Sequence, residues 1–333
     1  MLRKLLKSTG LILALLGALW FYGERGQLLR PSTRAFMQAA GGWRAIFSRK
    51  WWEGYVYGRW TNLYIGLPRR WYFRYVDNHD SDDPLWAAGY HGKVMSTADA
   101  QALISVDRPI PLQSLSEQII PFPVARDIVL NSNPAVVAYE CVCRATAANP
   151  CSPSQVCMVV GQPFVDFILE HHPDTSRRLT TEAALQLLQD EHDRGHFHAA
   201  YFKDAMLGRF YAICNCCSCC CAGLQAMQGL GVPMLMSSGY VAAVDIDDCL
   251  ACGVCEDACP FDAIALQESA VAETALIDWA ACLGCGVCVD QCSQEAITLI
   301  LDERKGQPLQ VEALFGNQNI RLESWQVDAG EEA

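Results

Sequence analysis

Lysine and arginine are absent from residues 241–300, a stretch that carries 11 Asp/Glu. The other end lacks acid. Residues 1–75 hold 13 Lys/Arg against only Glu24 and Glu53, a balance of +11 inside a chain whose net charge is −12. Such polarity points to different partners at the two ends. The acidic C-terminal part has nothing to offer nucleic-acid phosphates, so no nucleic-acid partner is expected. Neither GxGxxG nor GxxxxGK[ST] occurs, which leaves nucleotide and flavin sites without a phosphate-cradling loop. Charged residues make up only 19% against 51% apolar, the balance of a globular chain rather than a disordered one.

Long apolar runs are also missing. The longest begins after Arg3, Lys4 and Lys7 and covers Gly10 to Tyr22, short of the roughly 20 residues that cross a bilayer. Extended through Leu5, Leu6, Ser8 and Thr9, it just spans. No small-x-small cleavage site follows Trp20-Phe21-Tyr22, which favours an uncleaved anchor with an apolar helix over 10–22. Residues 36–75 then crowd 13 aromatics among seven arginines and lysines. Trp, Tyr and basic side chains suit a headgroup layer. Residues 1–75 therefore read as a membrane-associating segment. The competing reading is an aromatic protein core or a docking face for a membrane subunit.

Cysteine is what the chain has in excess. There are 18, many adjacent or one residue apart, a grouping that suits metal ligation better than disulfides. Comparison of the chain with itself finds a repeat. Cys249, Cys252, Cys255 and Cys259 recur 33 residues later as Cys282, Cys285, Cys288 and Cys292; Gly253 recurs as Gly286, and Asp245 as Asp278. Each half reads as strand, cysteine loop, brief helix and strand, with strands at 241–244, 263–266, 275–277 and 296–300.

This C-x2-C-x2-C-x3-C pair resembles the bacterial two-cluster ferredoxins, and all eight cysteines match. The resemblance implies an α+β, pseudo-twofold fold over 241–300 with two [4Fe–4S] clusters and a role in electron transfer. One cluster would be held by Cys249, Cys252, Cys255 and Cys292. The other would be held by Cys282, Cys285, Cys288 and Cys259. Where the first half has Pro260 after its fourth cysteine, the second has Ser293, a change in loop stiffness rather than ligation. The acidic surface suits steering of basic redox partners.

Ten cysteines remain. Cys141, Cys143, Cys151 and Cys157 precede a helix capped by Thr180 or Thr181 and ended by Gly195; His198 and Cys214, Cys216, Cys217, Cys219, Cys220 and Cys221 follow. The stretch 120–221 resembles the cysteine-rich region of a family of ferredoxin-fused proteins. The residues that carry the likeness are Ile120-Pro121, Arg126-Asp127-Ile128, Cys141 to Arg144, the two spaced cysteines, His198 and Cys214 to Cys220. It implies a metal or cluster site without naming a substrate. The candidate ligands are Cys141, Cys143, Cys151, Cys157, Cys214, Cys216, Cys217, Cys219, Cys220 and His198. A third iron–sulfur cluster, a structural zinc and a redox-active dithiol compete for them. Of the other histidines, His171 and His172 are expected to end a helix that begins near Pro163. His79 and His91 are expected to face solvent.

The expected organisation is a membrane-associating segment (1–75), a mainly helical cysteine-rich domain (76–240), a dicluster ferredoxin domain (241–300) and an extension (301–333) whose Leu309, Val311, Leu314 and Phe315 pack back. Thiolate ligands survive in a reducing compartment, which places the bulk on the cytoplasmic face of a membrane. Three functions remain open. An electron relay between redox proteins needs no substrate cavity. An oxidoreductase subunit predicts one beside Cys141–Cys157 and Cys214–Cys221. A redox or metal sensor predicts structural change without turnover.

Overall fold

A computed structural model describes residues 14–75, 84–268 and 273–316. The N-terminal part is helical: α1 (14–23), α2 (Pro31–Ala39), α3 (Arg49–Arg59) and α4 (Thr61–Tyr75), with a 3-10 turn at Gly42–Phe47 between α2 and α3. Next come α5 (Pro84–Gly89), β1 (Tyr90–Met95), α6 (Thr97–Ile104), β2 (Ile110–Ser114), β3 (Asp127–Leu130) and β4 (Val136–Tyr139). The chain continues with α7 (Val142–Ala145), β5 (Cys157–Val160), α8 (Phe164–His171), β6 (Ser176–Leu179), α9 (Thr181–Asp193), β7 (Phe197–Lys203) and β8 (Arg209–Cys216). It ends this unit with α10 (Ala222–Leu230) and β9 (Leu235–Met236).

These strands make one nine-stranded sheet in the order β6-β4-β5-β8-β7-β1-β9, with β3 joined to β8 and β2 to β3. The expected mainly helical middle domain is therefore corrected to a mixed one built around a sheet. Val136–Tyr139 and Phe197–Lys203 are buried at every residue. A short apolar run buried on both faces carries no alternation, and periodicity alone does not separate it from a buried helix. The alternation shows only in the packing. Val137, Tyr139, Val159, Tyr201 and Tyr211 enter one core. Val136, Ala138, Met158, Phe202 and Ile213 enter the other, with Leu103 and Leu188 from α6 and α9.

The aromatic segment covers the first of these faces. Phe36, Trp51, Tyr55 and Tyr57 are buried there, with Phe36 edge-on to Phe164 and Phe167 of α8. Gly54 lets α3 approach closely, since a Cβ would lie 2.1 Å from the Ala205 carbonyl oxygen. These aromatics are thus largely core, because their rings close a sheet face that would otherwise meet water. Trp43 and Phe47 stay exposed. No helix among the described residues is long and apolar enough to cross a membrane. Residues 10–13 of the expected apolar helix lie outside them. His91 also departs from expectation: it is buried in β1 between Phe122 and Phe202, 4.7 and 5.7 Å between ring centroids. His79 lies outside the described residues.

The C-terminal part holds β10 (Tyr240–Val244), α11 (Val254–Ala258), β11 (Ile264–Glu268), β12 (Glu273–Ile277), α12 (Val287–Gln291) and β13 (Ile297–Leu301). Two antiparallel ribbons form, β10 with β13 and β11 with β12. The 33-residue displacement carries β10 onto β12 and β11 onto β13, so it exchanges the ribbons. The chain then packs back through α13 (Val311–Gly316), burying Leu309, Val311 and Leu314 and setting Arg108 over the Phe315 ring.

Candidate metal centres

In the C-terminal repeat, Gly253 and Gly286 take left-handed backbone angles (φ 79° and 87°) and release α11 and α12 from the cysteine loops. A left-handed step costs glycine nothing, and it turns the loop back on itself within a residue. One cavity is lined by Cys249, Cys252, Cys255 and Cys292. A second is lined by Cys259, Cys282, Cys285 and Cys288. Each combines three thiols of one loop with the fourth from the other half.

Peptide N–H groups point at these sulfurs. Ala263 donates to Cys259 Sγ at 3.3 Å. The N–H groups of Ala275 and Ala251 hold the Cys249 thiol below its ordinary pKa. Burial acts the other way on Cys288, pushing it up to about 12, and raises Cys285 as well. A buried thiol that resists ionisation alone is readily deprotonated by a bound metal, and N–H donors to sulfur favour the thiolate that results. Four thiols around each cavity, with N–H donors aimed at them, fit a [4Fe–4S] cluster.

The middle cysteines divide into two groups. Cys151, Cys217, Cys219 and Cys220 have their sulfurs within 4.8 Å of one another, with Cys219 exposed. The Cys151–Cys217 and Cys219–Cys220 separations are 3.4 Å and Cys151–Cys220 is 3.7 Å. A tetrahedral ion with metal–sulfur bonds of about 2.3 Å sets its ligands about 3.8 Å apart. The group therefore has the dimensions of a single-ion site. A cubane, whose thiolates sit on separate irons, would spread them further.

Cys141, Cys143, Cys157, Cys214 and Cys216 assemble beside that group, together with Cys221, a residue outside the ligand set expected from the sequence. All six line one cavity of about 400 Å³, whose wall Cys217 and Cys220 of the first group share. The sheet explains part of this. β5 and β8 pair Met158 with Ile213, so the next antiparallel step sets Cys157 opposite Cys214. Cys214 and Cys216 are two residues apart on β8 and share a face. The thiols neighbour one another in the order Cys143, Cys141, Cys157, Cys214, Cys216 and Cys221, and back to Cys143.

Six tyrosines line the same cavity: Tyr57, Tyr64, Tyr90, Tyr139, Tyr201 and Tyr211. The Tyr57 and Tyr211 hydroxyls meet at 2.7 Å. Burial raises all six phenols, Tyr139 to about 12, so they stay neutral at physiological pH. The one ion pair in the lining joins Lys203 Nζ to Glu53 at 2.8 Å, with Lys203 over the rings of Tyr57, Tyr64 and Tyr90.

His198 joins neither thiol group. Its Nδ1 lies 2.7 Å from Asn215 Oδ1, and its ring is fully buried. Arg144, just after Cys143, is buried too. It donates to Glu191 at 2.6 Å and to the carbonyls of Pro153 and Asn215, tying the first cysteine loop to α9 and β8.

Residues 242–293 match the family described as a 4Fe-4S dicluster domain. No curated protein and no solved structure matches the chain. The C-terminal segment is a dicluster ferredoxin domain, and with the cysteines around it the chain carries the equipment of iron–sulfur electron transfer.

Proposed function

We propose that the chain relays single electrons through two [4Fe–4S] clusters. Cys249, Cys252, Cys255 and Cys292 would bind one, and Cys259, Cys282, Cys285 and Cys288 the other. The observation that carries this is the pair of cavities, each lined by three cysteines of one half and the fourth of the other. When bound, such clusters supply reversible one-electron chemistry. The chain's part is to hold them, to aim N–H groups at their ligands, and to surround them with acidic residues. That negative surround disfavours added electrons and draws basic redox partners. Protein purified without oxygen should contain about eight irons and eight acid-labile sulfides at these sites. Colourless protein whose eight C-terminal thiols are bridged to one another would end the proposal.

The tyrosine-lined cavity favours a second reading. It lies where an oxidoreductase subunit requires one, beside Cys141–Cys157 and Cys214–Cys221. There the middle-domain metal site would face a substrate, and the ferredoxin pair would exchange electrons with it. Turnover of a bound small molecule by the reduced chain would favour this reading over a pure relay. Membrane association is part of the proposal as well. Leu15, Leu16, Leu19 and Phe21 of α1 are all more than half exposed beside basic chain, which suits lipid or a membrane subunit at a cytoplasmic face. Vesicle flotation with and without residues 1–23 tests it.

A further inference from the structure

We infer that Cys141, Cys143, Cys157, Cys214, Cys216 and Cys221 bind a polynuclear centre of two or more thiolate-held soft metal ions, separate from the four-thiol site. The inference does not rest on the electron-relay reading.

The first ground is number. A single tetrahedral ion or a single cubane takes four cysteines. The six cysteines here line one cavity, with Cys157 and Cys214 set opposite each other by the β5–β8 pairing. Two tetrahedral ions need eight metal–sulfur bonds, and six thiolates supply them when two of the six bridge. A fused iron–sulfur cluster with six terminal thiolates uses the same donors. Soft thiolate sets of this kind select iron–sulfur, zinc or cuprous ions.

The second ground is the frame. The ring is drawn from four separate places in the chain: Cys141 and Cys143 around α7, Cys157 on β5, Cys214 and Cys216 on β8, and Cys221 at the start of α10. Two of these, β5 and β8, meet through the sheet itself, and Arg69 fastens α7 to α10 by donating to the Cys143 carbonyl at 2.5 Å and to Gln225 at 3.0 Å. Peptide N–H groups again aim at sulfur: Leu224 to Cys221 at 3.5 Å, Arg144 to Cys141 and Ala222 to Cys143. Neutral buried thiols have little use for such donors; metal thiolates are stabilised by them.

The third ground is segregation. Cys216 and Cys217 are adjacent, yet Cys216 belongs to the ring and Cys217 to the four-thiol group; Cys220 and Cys221 divide in the same way.

The test counts metals in the full-length chain purified without oxygen. Against wild type, the Cys157→Ser/Cys214→Ser variant should lose at least two metal ions per chain. The Cys151→Ser/Cys220→Ser variant should lose one. The reduced [4Fe–4S] EPR signal of the C-terminal domain should stay in both. Unchanged metal content in the ring variant, or loss of one ion only, overturns the inference. Should the ring variant fail to fold, wild type decides. X-ray absorption should show metal–metal scattering in excess of that from the two cubanes. Disulfides among the six cysteines in oxygen-protected protein, or a total of eight irons plus one ion, overturn it equally.

Discussion

The rings of Phe197 and Phe261 pack against each other, 4.8 Å between centroids and inclined by 51°. Phe261 stands two residues after Cys259 of the ferredoxin domain. Phe197 opens β7 directly opposite Cys216 of the thiol ring. Two side chains therefore bridge a cluster ligand and the middle-domain cysteines. Phe197 is fully buried and Phe261 nearly so. Truncating a buried phenylalanine typically costs about 3–5 kcal/mol, so Phe197→Ala should lower stability by that order. Denaturation followed by tryptophan fluorescence and by cluster absorbance should change from one shared transition to two.

The sharing of fourth ligands makes a second prediction. Cys292→Ala should cost the cluster of Cys249, Cys252 and Cys255, although the mutated residue lies in the other loop. Cys259→Ala should cost the cluster of Cys282, Cys285 and Cys288. Iron analysis and EPR should show about half the C-terminal iron lost in each case. If Cys292→Ala instead removed the signal of its own loop, the assignment would be reversed.

Arg144 and Glu191 form an ion pair with both side chains inaccessible to solvent. Glu191 also pairs with Arg194 and His196, but Arg144 has no other carboxylate among the described residues. Removing Glu191 leaves the arginine charged and buried, at a cost of about 3–5 kcal/mol. Glu191→Ala should therefore unfold in distinctly less denaturant than wild type. The double variant Arg144→Met/Glu191→Leu should recover much of the loss. Recovery would separate the burial of a lone charge from any need for the glutamate itself.

Three histidines should make the fold acid-labile. Burial holds His91 and His198 at about 4 and His171 at about 3, all below the ordinary value of 6.5. Above pH 6.5 these rings are neutral whether the chain is folded or not. As pH falls below 6.5 the unfolded chain takes up protons first, so stability drops until the folded pKa values near 4 to 3 are passed. Denaturation midpoints should thus decline from pH 6.5 towards pH 4. His91→Phe, set between Phe122 and Phe202, should shallow the decline.

The ferredoxin domain was legible almost residue by residue, because its chemistry is written as local spacing and repeated. Its strands fall within two residues of the expected ends. The middle domain was legible only as a collection of cysteines. What divides Cys216 from Cys217, or joins Cys157 to Cys214, is strand register, and no local pattern encodes which strands will pair. Cys221 carried the one available signal, its place in an unbroken cysteine run. His198 was misjudged for the opposite reason: it lies between cysteines in sequence but is turned to Asn215 by the sheet. Aromatic composition misled at residues 36–75, since Trp and Tyr serve equally at a lipid boundary and in a core.

The hexapeptide from Cys216 to Cys221 feeds sulfur to both thiol groups, and four of its cysteines share the wall of one cavity. Its length is therefore quantised. One glycine inserted beside Ser218 would leave every cysteine in place by composition, yet turn some of them towards the wrong group. Such an insertion should lower metal binding by both middle-domain thiol groups while leaving the ferredoxin domain unaffected, a defect far out of proportion to the single residue added.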